Sequence, residues 1–144
     1  MADPAEVAIE AALIARAEAF AEAQSLTISL PNVAFEPPGP APGVKWLRAT
    51  FLPAASAETG ISWNSHVQHV GLLQIDIFGN QGDGEPALGR IASAAIQFFP
   101  RGLRLSRDGI ALLINRAPYR SSMLRDDPWM QIPVSIPYLC FARP

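Results

Sequence analysis

The sequence holds one cysteine, Cys140, one lysine, Lys45, two histidines and two tyrosines among its 144 residues. A lone cysteine excludes an intrachain disulfide and any cysteine-built zinc site within one chain. One lysine and a pI near 5.6 argue against a nucleic-acid surface, which wants clustered basic residues interleaved with aromatics. No run approaches the roughly 18 apolar residues of a membrane span, and the acidic start Met1-Ala2-Asp3-Pro4-Ala5-Glu6 is unlike the basic start of a secretory signal. The expectation is a soluble, intracellular protein. Charge is scarce as well, at 17% against about 25% in ordinary domains. Apolar residues reach 49% and the mean hydropathy is +0.17, which excludes general disorder. The length fits one domain spanning residues 1–144, with more apolar surface than its own core needs.

The net charge of −2 conceals a division. Residues 1–89 carry Arg16, Lys45 and Arg48 against ten acids, a balance of −7. Residues 90–144 carry eight arginines against Asp108, Asp126 and Asp127, a balance of +5. Either the two halves intermix and neutralise each other, or opposite faces of neighbouring subunits meet head to tail, a contact that closes into a ring when the rotation allows.

Along the chain, Asp3 as a cap, Pro4 at the first helical position and Glu6 in a capping box predict a helix over 4–23. Its apolar stripe is Val7, Leu13, Ile14, Ala17, Phe20 and Ala21. Ser25 to Leu30 reads as a short strand, and the prolines from Pro31 to Pro42 then impose an extended surface path. Val44 to Leu52 alternates as a half-buried strand, and His66 to Phe78 as a longer antiparallel neighbour with Leu73, Ile75 and Ile77 inward. Between them, Pro53 to Asn64 reads as a long polar loop, disordered in an isolated subunit.

After the glycine-rich Gly79 to Gly84, helical spacing sets Leu88, Ile91, Ala92, Ala95 and Phe99 on one face until Pro100, with Glu85 near the helix start. Leu103 to Leu105 and Ile110 to Arg116 read as short strands around an Arg107-Asp108-Gly109 turn, and Ala117 to Pro128 as a loop. In the last strand, Gln131 to Phe141, Ile132, Val134, Ile136, Tyr138 and Cys140 share a face. Pro133 and Pro137 lack backbone donors on the same lateral side, so this strand is expected at a sheet edge. The fold class is α+β: a mainly antiparallel or mixed sheet of about four to five strands, with the N-terminal helix and a second helix packed on it.

No constellation of catalytic residues emerges, and no catalytic, cofactor or metal residue is assigned. His66 and His69, three apart on a strand, would face opposite sides and form no common metal site. Cys140 lies on an apolar face and reads as a small core residue. Gly79 to Gly84 lacks the P-loop ending and carries Asp83, so it reads as a turn. Asp126-Asp127 before Pro128 is turn chemistry, and no GxSxG surrounds Ser121 or Ser122. Arg101, Arg104 and Arg107 are spaced as a phosphate reader would be, but three arginines beside a turn read as a solvated rim.

Three stretches carry a family resemblance. They are Leu30-Pro31-Asn32-Val33-Ala34-Phe35-Glu36-Pro37-Pro38 followed by Trp46-Leu47-Arg48-Ala49-Thr50-Phe51-Leu52-Pro53-Ala54; Val67-Gln68-His69-Val70-Gly71-Leu72-Leu73-Gln74-Ile75-Asp76-Ile77-Phe78 with Gly82-Asp83-Gly84; and Phe99-Pro100-Arg101-Gly102-Leu103-Arg104-Leu105 with Val134-Ser135-Ile136-Pro137-Tyr138. In order and spacing they resemble the phage tail terminator-like family, similar to the lambda-type tail terminator. The resemblance implies a structural, non-enzymatic α+β subunit without cofactors that forms a hexameric ring, caps the tail tube, stops its growth and presents a surface to the head connector. DNA would pass through the channel as cargo, and no membrane is involved. The protein would act in the host cytoplasm during assembly and then in the virion tail or neck. The candidate assembly interface combines Glu58, Asp83, Glu85, Arg101, Arg104, Arg107, Pro133 and Pro137. Two other readings stay open: another neck or tail ring component (connector stopper or tail-tube subunit), and a small nucleic-acid module using the C-terminal arginines.

Overall fold

A computed structural model of the chain describes residues Pro4–Arg143. Helix α1 (Ala5–Gln24) is alanine-rich, so small side chains let it approach the sheet closely. Its buried side is Ala8, Ile9, Ala12, Leu13, Ala17, Phe20 and Ala21. Val7, expected in that stripe, is 49% exposed, and Ala8 and Ile9 take its place. Asp3, expected as the cap, lies outside the described residues. Pro4 itself occupies the N-cap, where no side chain caps the helix, and Glu6 closes no capping box. Ser25, left-handed at φ 55°, ends the helix with its N–H on the last carbonyls.

The chain then adds β1 (Ile28–Ser29), β2 (Lys45–Pro53), β3 (Ala57–Glu58), β4 (Val67–Asn80), α2 (Pro86–Phe98), β5 (Arg104–Arg107), β6 (Ile110–Leu113), β7 (Tyr119–Arg120), β8 (Leu124–Asp126) and β9 (Trp129–Ala142). The sheet runs β1-β2-β4-β9-β6-β5, with β3 beside β4 and with β7 and β8 beside β9. The β1–β2 pair is parallel and the others antiparallel. The class is the expected α+β with two helices. The extra strands β3, β7 and β8, two or three residues long, come from segments that the sequence read as loops.

Both helices pack on one sheet face. There Leu47, Leu73, Ile75, Ile77, Ile132, Val134 and Ile136 meet Leu13, Phe20, Ala92, Ala95 and Phe99 in a single cluster. Arg16 ties the helices together: its guanidinium lies 4.0 Å over the Phe98 ring and donates at 2.7 Å to the Phe98 carbonyl, setting a positive charge at the C-terminal end of α2. On the opposite face Trp46 stacks on Phe78 at 4.0 Å with Trp129 edge-on. The proline-rich surface segment packs Phe35 there, 5.3 Å from Trp46. Gly71 is required where strands crowd, because a Cβ there would come within 2.6 Å of the Leu52 carbonyl oxygen and 2.7 Å of the Tyr138 hydroxyl.

The expected edge position of the last strand is overturned. Strand β9 lies inside the sheet, paired with β4 along all 14 of its residues. The proline argument holds for one flank alone. The N–H and C=O of a residue point to the same side, and the Pro133 carbonyl accepts from the Ser121 N–H at 2.9 Å on the far side from β4. Pro133 and Pro137 therefore leave the β4 flank intact. The other flank is covered by three short pieces, β6 at Leu139, β7 at Val134 and Ser135, and β8 at Trp129 to Gln131, with gaps at both prolines. Both proline side chains are buried.

Candidate assembly surfaces

The sheet ends in the two-residue β1 on one side and in β5 on the other; β5 is joined to β6 by a two-residue turn in which Asp108 (φ 52°) and Gly109 (φ 77°) are both left-handed, the backbone of a tight hairpin. Leu105 turns inward while Arg104, Ser106 and Arg107 are exposed. Arg101 is exposed in the turn after α2. Among the described residues none of these three arginines is ion-paired.

The acidic candidates are placed differently. Glu85 accepts from Arg120 at 2.7 Å, so its charge is answered within the subunit and across the two oppositely charged halves. Asp83 accepts the Gly43 N–H at 2.7 Å and fastens the turn after β4 to the start of β2. Glu58 is exposed on β3 and lines a groove of about 840 Å³ with Glu6, His66, His69, Val67, Ile110, Ala111, Phe141 and Arg143. His66 and His69 thus share a groove, against the alternation argument, because His66 precedes the strand and strict alternation starts at Val67. Among the described residues no three of His, Cys, Asp or Glu come together as a metal site.

The segment 53–64, expected as disordered, instead folds back on β4. Ala57 and Glu58 pair with Gln68 and Val67. At its tip Ile61 and Trp63 are wholly exposed. Sequence reasoning misses both, although two large apolar residues in an otherwise polar loop are a visible signal. It also misses the uncovered apolar positions Leu52, 42% exposed, and Phe141, 55% exposed. Nor was the buried pair on the helix-free face foreseen: Asp76, 1% exposed, accepts from Arg48 at 3.0 Å and from Gln74 at 2.9 Å. That requires β2 and β4 to set Arg48 directly opposite Asp76.

The Cys140 thiol is buried, lies 3.2 Å from the Ala111 carbonyl, and is pushed up in pKa by burial. It stays protonated at neutral pH, which suits packing and disfavours nucleophilic attack. The Tyr138 hydroxyl is pushed up to about 12 by burial, with the charges of Cys140 and Glu10 adding to it.

No helix of the described residues is long and apolar enough to cross a membrane. Among curated proteins none matches this chain. Five solved chains match; one whose designation carries no function is 25% identical and superposes with a TM-score of 0.75 over 92% of each chain. The family model described as phage tail terminator protein matches residues 8–138, from the first buried turn of α1 to Tyr138 in β9. That match takes in both helices, the buried face and the β5 margin, and the chain belongs to the phage tail terminator protein family, a structural and non-enzymatic family of the phage tail.

Proposed function

We propose that residues 1–144 act as one domain, copies of which form a ring of six on the end of the completed tail tube. The ring stops elongation of the tube and presents its far surface to the head connector, with DNA passing through the channel as cargo. It assembles in the host cytoplasm and remains in the tail or neck of the virion. One observation carries this reading beyond family membership: the sheet ends in an exposed strand, β5, which carries Arg104 and Arg107 with Arg101 just before it, and none of the three forms an ion pair among the described residues. An open strand margin lined with exposed arginines is a surface that a complementary, acidic one can cover. The exposed Glu58 and the partly answered Glu85 are acidic counterparts on a neighbouring copy, and the turn at Asp83 lies on the same contact or faces the adjacent ring.

Electron microscopy of particles from a null mutant tests the function. Overlong tubes mean a lost terminator; tails of normal length beside tailless heads would transfer the protein to the connector. For the interface, Arg104→Glu with Arg107→Glu is expected to weaken ring formation, and ring formation by the parent chain is expected to fall as salt is raised. Salt-independent assembly would count against the charged contact, whereas salt-sensitive duplex binding would favour the nucleic-acid reading.

A further inference from the structure

We propose that the β3–β4 hairpin tip is a knob that seats Trp63 and Ile61 in the groove beside β9 of a second copy of this chain. The inference rests on the self-assembly just proposed and names the contact.

The tip is built to hold its shape. The Thr59 N–H and hydroxyl both donate to the His66 carbonyl, at 3.1 and 2.6 Å, and the Ser65 N–H donates to the Ser62 carbonyl at 3.0 Å. The Ser62 hydroxyl and the Asn64 side chain pair across the turn. Gly60 lets the loop close, since a Cβ there would lie 2.6 Å from the Ser65 hydroxyl. With these polar groups paired internally, the tip offers water two large apolar side chains: relative exposure is 100% for Trp63 and 106% for Ile61. The other two tryptophans, Trp46 and Trp129, are buried at 6% and 8%. A preorganised loop carrying an exposed tryptophan loses little entropy on docking, and tryptophan is a preferred anchor of protein contacts.

The matching socket is on the same chain, at the root of the hairpin. The groove of about 840 Å³ has Val67, Ile110, Ala111 and the half-exposed Phe141 as apolar lining, with Glu6 and Glu58 available to accept an indole N–H. A subunit's own Trp63 is fully in solvent, so the groove is left to another copy. Because the knob and the socket are separate parts of one subunit, the contact can run head to tail around a ring as well as close in a two-fold pair, and the oligomer number distinguishes the two.

The area involved sets the strength. Trp63 and Ile61 together offer about 400 Å², half of the about 800 Å² that each partner buries in a stable pair. The tip by itself makes a weak contact between two free subunits, populated only at the top of a concentration series. It adds to the β5 contact once copies stand side by side, which favours assembly on a tube end over premature association in solution.

The test compares the full-length parent with variants by native mass spectrometry, over a concentration series and with purified tail tubes. Trp63→Ala is expected to keep the far-UV spectrum of the parent and to lower the oligomer fraction at least tenfold. Phe141→Glu, with Ala111→Glu as a second groove variant in case the first fails to fold, is expected to do the same. Mixing Trp63→Ala, whose socket is intact, with a groove variant, whose knob is intact, should give one-to-one pairs and nothing larger. In the parent, tryptophan emission should move to the blue on assembly and should not do so in Trp63→Ala. Oligomers of Trp63→Ala equal to those of the parent overturn the knob, and mixtures that yield no pairs overturn the groove as its socket. A Trp63→Ala protein that still forms rings but no longer holds tube ends would assign the tip to the tube and leave the terminator reading standing. A parent that stays monomeric at every concentration and on tubes would sink both.

Discussion

The sheet face under the helices and the hairpin beyond the end of that sheet use the same kinds of side chain to opposite effect. Under the helices, Leu13, Phe20, Leu47, Leu73, Ile75, Ile77 and Ile136 are wholly buried. Each has a facing element to fill the space across from it. In the hairpin, Ile61 and Trp63 have nothing across from them and remain in water. Apolar character is equal in the two regions; the presence of a second layer differs. One region has finished its packing within the chain, and the other offers it to a neighbour.

Substitutions that separate folding from assembly sharpen this contrast. The largest effect is expected in the core: Leu73→Ala removes a fully buried side chain of β4 from the cluster beneath the helices and should cost about 3 kcal/mol, read from the urea midpoint at unchanged slope. Trp63→Ala in the same assay should change stability by less than about 0.5 kcal/mol, because an exposed side chain loses no packing. A hairpin variant as destabilising as the core variant would erase the distinction.

The buried pair on the helix-free face comes next. Asp76→Asn leaves Arg48 without its carboxylate, and a loss of about 2 kcal/mol is expected. This is less than the 3–5 kcal/mol of a fully buried pair, because the Arg48 side chain is 42% exposed and can turn to water. A double-mutant cycle with Arg48→Met should recover part of the loss.

A smaller effect follows from pH. Burial favours the neutral phenol of Tyr138 in the folded chain and pushes its pKa up to about 12, against 10.0 in its ordinary state. A group raised on folding lends stability that is whole below its unfolded pKa. That stability is lost as pH climbs from about 10 towards 12, and the Cys140 thiol acts in the same direction from about 9. Denaturation midpoints should therefore fall in alkali. Tyr138→Phe, compared with the parent at each pH, should show a shallower fall. The smallest change is expected of Glu85→Gln, below about 0.5 kcal/mol, since its partner Arg120 and Glu85 itself are both substantially exposed and screened by salt.

How much of this was legible depended on range. The two helices, the β2–β4 pairing and the inward row Ile132, Val134, Ile136, Tyr138 and Cys140 follow from local periodicity, and each is found. The edge assignment failed because two missing donors constrain one flank of a strand and say nothing of the other. The opposite flank of β9 holds a full partner, and the proline flank is served by pieces of two to four residues too short to carry a period of their own. The arginine surface was partly legible: Arg101, Arg104 and Arg107 were singled out as a cluster, but their place on the true margin depended on where β5 falls in the strand order. The hairpin tip was not found, since a polar loop with two apolar residues reads as mobile until its hydrogen bonds are seen.

Composition and spacing by themselves determined the α+β class, the apolar rows, the division of charge and the lack of a disulfide, because each is either a sum over the chain or depends on residues within one or two turns of one another. Only the tertiary structure decided which strand ends the sheet, which acids are already answered by Glu85–Arg120 and Arg48–Asp76, and which apolar residues lack a cover. Those outcomes turn on contacts between segments far apart in the chain, where the free energy of pairing belongs to both partners and neither segment carries it alone.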